Sequence, residues 1–285
     1  MTDLNLNSSS PVAAGLYIVA TPLGNARDIT LRALDVLNAA DLVLCEDTRV
    51  TRKLLTIYGV KARLQACHEH NEQAVAQNVL AALADNKCVA LVSDAGTPVI
   101  SDPGYRVIKA AIAAGHPVHP VPGASAPIAA LSASGLPSDR FVFLGFLPAK
   151  AAARRAALAA LSRDLGTVIV FESPNRLTNL LHDMADVLGP CRTVVAREMT
   201  KKFEEIIAGT PAELAMHFAD GARGECVVLF HLEGGETVLQ DSLDEAILTA
   251  LETMTVKDAA LEVSVRYGLS RKDVYGRALQ LRRDT

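Results

Sequence analysis

The chain has 285 residues, 50% hydrophobic and 21% charged, with a formal net charge of −4. That is enough to bury one large core or two modest ones, and it excludes a disordered polymer. With no tryptophan and 4% aromatic residues, an interface of stacked aromatics is not expected, and the net negative charge argues against generalised polyanion binding while leaving local basic patches open.

No uninterrupted apolar run approaches the ~18 residues of a membrane helix. Met1 to Pro11 is a polar Asn/Ser stretch without the features of an export signal. Cys45, Cys67, Cys88, Cys191 and Cys226 are scattered singly with no C-x-x-C pair, which suits reduced thiols. A soluble cytoplasmic protein without disulfides or zinc is expected.

In chain order, strand-like runs fall at Leu16 to Ala20, Leu42 to Cys45, Cys88 to Val92, Phe141 to Phe146, Val168 to Phe171, Thr193 to Ala196 and Cys226 to Phe230. Helix-like stretches fall between them at Ile29 to Ala39, Glu72 to Ala84, Tyr105 to Ala114, Ala151 to Ser162 and Asn175 to Leu188. Strands spaced by helices predict an α/β protein with largely parallel sheets. A Pro/Gly/Ser-rich stretch, Pro117 to Pro137, interrupts the rhythm and sets a subdomain boundary near Gly135. After His231, residues 231–256 carry six acids and no Lys or Arg, whereas 257–285 hold seven basic against four acidic residues. Apolar positions there adopt a helical period, and Gly268-Leu269-Ser270 reads as a turn with Ser270 capping a last helix. The expected organisation is a disordered tail over 1–14, α/β subdomains over 15–134 and 135–235, and a helix-turn-helix-like module over 236–285. That module reads equally as a bundle that only packs.

Polar clusters follow directly on the apolar runs: Thr21 to Asn25, Glu46 to Arg49, Ser93 to Pro98, Pro122 to Ser125, Glu172 to Arg176 and Arg197 to Lys201. In parallel α/β sheets ligands bind at the carboxyl ends of strands. Any one cluster is explained by turn and cap chemistry, but six together predict one cleft. Known nucleotide loops are absent: there is no G-x-G-x-x-G after the first strand, no P-loop and no G-x-S-x-G elbow. His68-Glu69-His70 lacks a third ligand in view, so no metal is expected.

Together, V-A-T-P-L-G-N-x-x-D-I-T-L-R-A-L from Val19, C-E-D-T-R from Cys45, S-D-A-G-T-P-V-I-S-D-P-G from Ser93, V-P-G-A-S-A from Val121, G-L-P-S-D-R-F from Gly135, F-x-S-P-x-R from Phe171 and A-R-E-M-T-K from Ala196 resemble the tetrapyrrole methylase superfamily. The similarity is to its RNA branch, which methylates a cytidine ribose 2′-oxygen in 16S ribosomal RNA. It covers Gly15 to about Glu233 and continues into the terminal module. The porphyrin-methylating members differ where this chain reads A-T-P-L-G-N and S-D-A-G-T-P. The resemblance implies two α/β subdomains with S-adenosylmethionine in the cleft between them, a homodimer, and small-subunit RNA as partner. It places Pro22 and Leu23 beside the donor, Asp94, Gly96, Thr97 and Val99 around its methionine and sugar, Ser125 and Ala126 in the next loop, and Phe171 and Met199 at the adenine.

A ribose hydroxyl attacks a sulfonium methyl only if its proton is accepted. Glu46, Glu172, Glu198 and Lys201 are candidate bases. Glu172 or Lys201 is preferred, with Glu46, Arg49, Arg176 and Arg197 positioning the nucleotide. Each also has a reading as a cap or an ion pair. Lys150, Arg154, Arg155 and Arg163 against Asp164 form a basic stretch that could meet phosphates, or equally a solvated helix face. Two other functions stay open: a non-catalytic donor-binding or regulatory protein, and a methyltransferase for a small cyclic substrate.

Overall fold

The computed structural model describes residues 12–232, 240–267 and 271–284. Strands β1 (Gly15–Val19), β2 (Leu42–Cys45), β3 (Leu64–Ala66), β4 (Cys88–Leu91) and β5 (Val118–Val121) form a wholly parallel sheet in the order β3-β2-β4-β1-β5. Every residue of β2 and β4 is buried, as expected where helices cover both faces. On one face α1 (Leu31–Ala39) and α2 (Thr48–Ile57) bring Val36, Leu37 and Leu55 against Val19, Val43 and Cys45. On the other, α3 (Glu72–Ala84) and α4 (Tyr105–Ala113) bring Val75, Val79 and Val107 against Leu16, Leu44 and Leu91.

The stretch read as an interruption carries both β5 and α5 (Ala126–Ser134). Its prolines sit where they are tolerated. Pro120 is in an edge strand and Pro127 in the first turn of a helix. α5 packs Ala130 and Leu131 onto the second sheet, against Ile169, Val194 and Leu229. By packing, α5 thus goes with the second sheet although it precedes Gly135.

The second sheet comprises β6 (Phe141–Phe146), β7 (Thr167–Glu172), β8 (Arg192–Arg197), β9 (Glu205–Gly209) and β10 (Cys226–His231) in the order β6-β7-β10-β8-β9. Only β6 and β7 run parallel; the other three pairings are antiparallel. The expectation of largely parallel sheets thus holds for the first sheet and fails for the second. A strand buried on both faces is a continuous apolar run in either orientation, so the run itself carries no direction. Here α6 (Ala151–Ala159), α7 (Pro174–Leu188) and α8 (Pro211–His217) cover one face and α5 the other.

Helices α9 (Gln240–Leu251), α10 (Val256–Tyr267) and α11 (Arg271–Asp284) enclose a core of their own, including Ile247, Ala259, Val263, Val274 and Ala278. The expected Gly268 to Ser270 turn and residues 1–11 of the expected tail lie outside the described residues. The packed chain begins within that tail: Val12 sits on the first core, and the Ala13 carbonyl accepts a bond from Tyr17 Oη at 2.9 Å. No helix among the described residues is long and apolar enough to cross a membrane.

Two of the four cations in the basic stretch around α6 are engaged with acids of α7. Arg154 is 4% exposed, and its Nε and Nη2 lie 2.7 and 2.6 Å from Asp183 Oδ2 on α7. Arg155 reaches Asp183 at 3.2 Å and Asp186 at 2.7 Å. Both charges are spent joining α6 to α7. Because the guanidinium of Arg154 is buried, Asp183→Asn should cost about 3–5 kcal/mol of stability. Urea unfolding measures this, and a parental midpoint would show that the pair is dispensable.

Candidate functional site

Three loops leave the carboxyl ends of β1, β4 and β5, and backbone bonds join them. Thr21 and Gly96 exchange N–H···O bonds of 2.8 and 2.9 Å. Thr21 Oγ1 donates to the Ser93 carbonyl at 3.1 Å, and Thr97 Oγ1 to the Ala124 carbonyl at 3.0 Å. Gly96 has φ 79°, and a Cβ there would lie 3.3 Å from Leu23 Cδ2, so a side chain is excluded by conformation and crowded by space. Val99 and Ser101 hold φ of 74° and 69°, conformations that cost free energy in non-glycine residues and recur at functional sites. Buried Glu72 holds the end of this loop: its Oε1 accepts from the backbone N–H of Gly104 (3.0 Å) and Arg106 (2.6 Å), and so caps α4 from α3.

In the second sheet, Cys226 pairs with both Glu172 and Arg197. The ends of β7 and β8 and the beginning of antiparallel β10 therefore share one edge. Between that edge and the three loops lies a cavity of about 530 Å³, a size suited to a small ligand. The first half lines it with Leu23, Glu46, Asp94, Gly96, Thr97, Ser101, Asp102, Ser125 and Ala126. The second half contributes Phe146, Phe171, Glu172, Glu198, Met199, Lys201, Glu225 and Val227. The halves touch directly: Asn25 N–H donates to Thr200 Oγ1 at 3.0 Å, and Lys201 lies so close over Gly24 that a Cβ there would be 2.3 Å from Lys201 Cγ.

Of the expected donor residues, Leu23, Asp94, Gly96, Thr97, Ser125, Ala126, Phe171 and Met199 all line this cavity. Pro22 and Val99 do not. Pro22 is buried, and Val99 turns onto the core beneath. Of the expected catalytic group, Glu46, Glu172 and Lys201 line it, whereas Arg49, Arg176 and Arg197 are engaged elsewhere. Arg49 pairs with Asp47 at 2.6 Å, Arg176 donates to Glu172 Oε2 at 3.0 Å and the Leu147 carbonyl at 2.8 Å, and Arg197 binds Glu205. A cation read from sequence has no known counter-ion; the fold supplied one to each.

The preferred bases are also occupied. The Glu172 side chain is fully buried, with its oxygens accepting from Arg176 and from Ser173 N–H at 2.8 Å. Lys201 Nζ lies 2.9 Å from Glu198 and 3.2 Å from Glu225. Burial alone would depress Lys201, but these two carboxylates outweigh it and raise the ammonium above its usual range. Asp102 differs. Burial pushes its carboxyl up to about 6, Glu46, Asp94 and Glu225 add to the rise, and a bond from Ser93 offsets part of it. Burial likewise raises Glu46 and Asp94. Asp102 was legible only as the second Ser-Asp of the S-D-A-G-T-P-V-I-S-D-P-G block, since it does not directly follow a strand.

Six carboxyl groups, of which Glu172 is paired with Arg176, against one ammonium suit a cationic ligand, and Leu23, Phe171, Met199 and Val227 form apolar walls for a neutral heterocycle. S-adenosylmethionine fits on both counts: sulfonium and ammonium toward Asp94 and its neighbours, adenine toward the apolar walls. Among the described residues, no three His, Cys, Asp or Glu side chains gather as a metal site.

The family described as Tetrapyrrole (Corrin/Porphyrin) Methylases matches residues 15–215. The chain belongs to this family. Residues 237–282 match the RsmI C-terminal HTH domain. Like the family, the chain is a methyltransferase whose donor is S-adenosylmethionine. A protein of Mesorhizobium japonicum named Ribosomal RNA small subunit methyltransferase I is 47% identical over 275 residues, covering 95% of this chain and 94% of its own. The protein of that name from Escherichia coli O157:H7 is 46% identical over 271 residues, covering 93% and 94%. Among solved structures, a uroporphyrin-III-C-methyltransferase from Thermus thermophilus (TM-score 0.55, 21% identity, 78% of this chain and 94% of that one) and a diphthine synthase (TM-score 0.58, 16% identity, 75% and 89%) share the tetrapyrrole methylase fold.

The raised carboxyl of Asp102 has a consequence for stability. A folded-state value of about 6 against 3.8 for the free group means that the folded chain holds a proton the unfolded chain releases. Stability is therefore lost as pH rises from about 4 through 6. Asp102→Asn should unfold at higher denaturant than the parent at pH 8, with the difference disappearing near pH 4. A constant difference across that range would remove the desolvated carboxyl from the account.

Proposed function

We propose that this protein transfers the methyl group of S-adenosylmethionine to the 2′-oxygen of a cytidine ribose in the 16S RNA of the small ribosomal subunit, in the cytoplasm and as a homodimer. The similarity to ribosomal RNA small subunit methyltransferases along nearly the whole chain carries this reading. Exposed Phe141 and Leu144 on edge strand β6 support a self-association surface.

The donor supplies an electrophilic methyl group on a positively charged sulfur. The chain's contribution is to exclude water, orient both substrates and remove one proton. Asp94 and the backbone around Gly96 hold the donor; Ser125, Ala126, Phe171 and Met199 enclose it. Glu172, locked by Arg176, shapes the wall. Lys201, held as an ammonium, positions Glu198 and Glu225. Asp102 is the base: as the methyl–oxygen bond forms, the 2′-hydroxyl proton passes to its carboxylate. Sulfonium and carboxylate both become neutral, so the reaction removes two charges from a partly desolvated cavity, a change that low dielectric favours.

Single-turnover methylation of small subunits tests the assignment. Asp102→Asn should lose about 10²- to 10⁴-fold in rate with donor affinity retained. The parental rate should rise with pH as Asp102 ionises near 6 and then level off, and the variant should lack this inflection. A variant within twofold of the parent would return the role to Glu46 or to water. A parent that leaves no 2′-O-methyl mark on 16S RNA would overturn the function itself and favour a donor-binding protein.

A further inference from the structure

A polyanion meets an obstacle at this cavity, because Glu46, Asp94, Asp102, Glu198 and Glu225 make its wall acidic. Cations that neutralise RNA phosphates must therefore lie outside the cavity yet border its mouth. α6 does not qualify, since Arg154 and Arg155 are neutralised by α7. One stretch does. Residues 48–63 contain Arg49, Arg52, Lys53, Lys61 and Arg63 and no acid, in a chain of net charge −4. On α2 the first three stand at i, i+3 and i+4, hence on one face, opposite buried Thr51 and Leu55. Arg52, Lys53, Lys61 and Arg63 are exposed, and none has an ion-pair partner among the described residues. Arg49, its side chain 83% exposed, is held at the first turn by Asp47.

This strip is fixed to the cavity at both ends of α2. At the start of the helix, the Asp47 N–H donates to Asp94 Oδ1 at 3.1 Å, and Asp94 is part of the cavity wall. At the far end, Tyr58 Oη donates to the Ala26 carbonyl in the turn beside Asn25, which in turn binds Thr200 next to Lys201. Of the acids near the strip, Asp47 caps α2 and Glu46 faces the cavity, while exposed Asp28 lies by Tyr58 at the far end of the helix.

We propose that the exposed face of α2 and the turn after it bind the phosphodiester backbone of RNA flanking the target nucleotide, and so hold an anionic strand against an acidic catalytic cavity. This rests on the ribosomal RNA reading above.

The test uses the full chain carrying Arg52→Glu and Lys53→Glu. Expected are about tenfold weaker binding to small subunits at low salt, and a salt slope shallower by about 1.4, corresponding to two lost contacts at about 0.7 each on single strands. S-adenosylmethionine affinity by calorimetry should be parental, and methylation should recover at saturating subunit concentration, with KM raised and kcat nearly unchanged. Arg52→Gln with Lys53→Gln should fall between, and Lys150→Glu, exposed elsewhere, should behave as the parent. Parental affinity and salt slope in the double reversal, in preparations whose parent methylates 16S RNA, would overturn the proposal while leaving the function standing. A parent that neither binds nor methylates would overturn the function first. Loss of binding to anionic phospholipid vesicles with RNA binding intact would assign the strip to a membrane and equally overturn the proposal.

Discussion

The site depends on one reciprocal pair of backbone bonds, Thr21 to Gly96 and back. β1 and β4 are parallel neighbours, yet beyond their ends the chain after β4 doubles back, so that Thr21 and Gly96 meet antiparallel. That reversal turns two strand ends into a floor, and it requires a residue at φ 79° with no Cβ pressing on Leu23. It also explains why strained residues follow immediately. Val99 and Ser101 stand in conformations costing of order 1–3 kcal/mol each, which persist because the Glu72 carboxylate fixes the loop's far end by accepting from two backbone N–H groups.

The second half completes the cavity by a similar economy of space. Glu198 and Thr200 hold φ of 51° and 65°, which turns the chain after β8 back across the cavity. Glu198 then fills the space a side chain at position 224 would need: a Cβ on Gly224 would lie 2.0 Å from Glu198 Oε1. Lys201 ties this carboxylate to Glu225. Both acids are thus arranged by a lysine, which also holds the Glu198 carboxyl below its usual range.

What sequence reveals here follows from what burial does to composition. Strands buried on both faces, such as β2 and β4, stand out as apolar runs, and the loops after the first sheet's strands were readable as a site because parallel topology sends all of them to one edge. β3 and β9 escaped: their residues are only half-buried or exposed, and Leu64 to Ala66 is too short and mixed to register. α2 escaped because its first residues, Thr48 and Arg49, read as part of a polar loop cluster. Glu225 and Val227 could not be found by a rule about strand ends, since β10 enters the cavity with its beginning. The arginines misled for a different reason. Whether a guanidinium meets substrate or an acid depends on contacts such as Arg197 with Glu205, and helical or strand periodicity is silent about partners.

The bond from Asn25 to Thr200 spans 175 positions of sequence. No local folding event can form it, and neither sheet alone owns a complete cavity. On the proposed seating of the methyl donor in this cavity, its binding is linked to docking of the two sheets rather than to the folding of either. A ligand present at a hundred times its dissociation constant lowers the docked state by about 2.7 kcal/mol while leaving a folded but undocked pair untouched. On that seating, donor concentration would act on the mechanical integrity of the molecule, and protection of the amides around Thr200 from hydrogen exchange would rise with it.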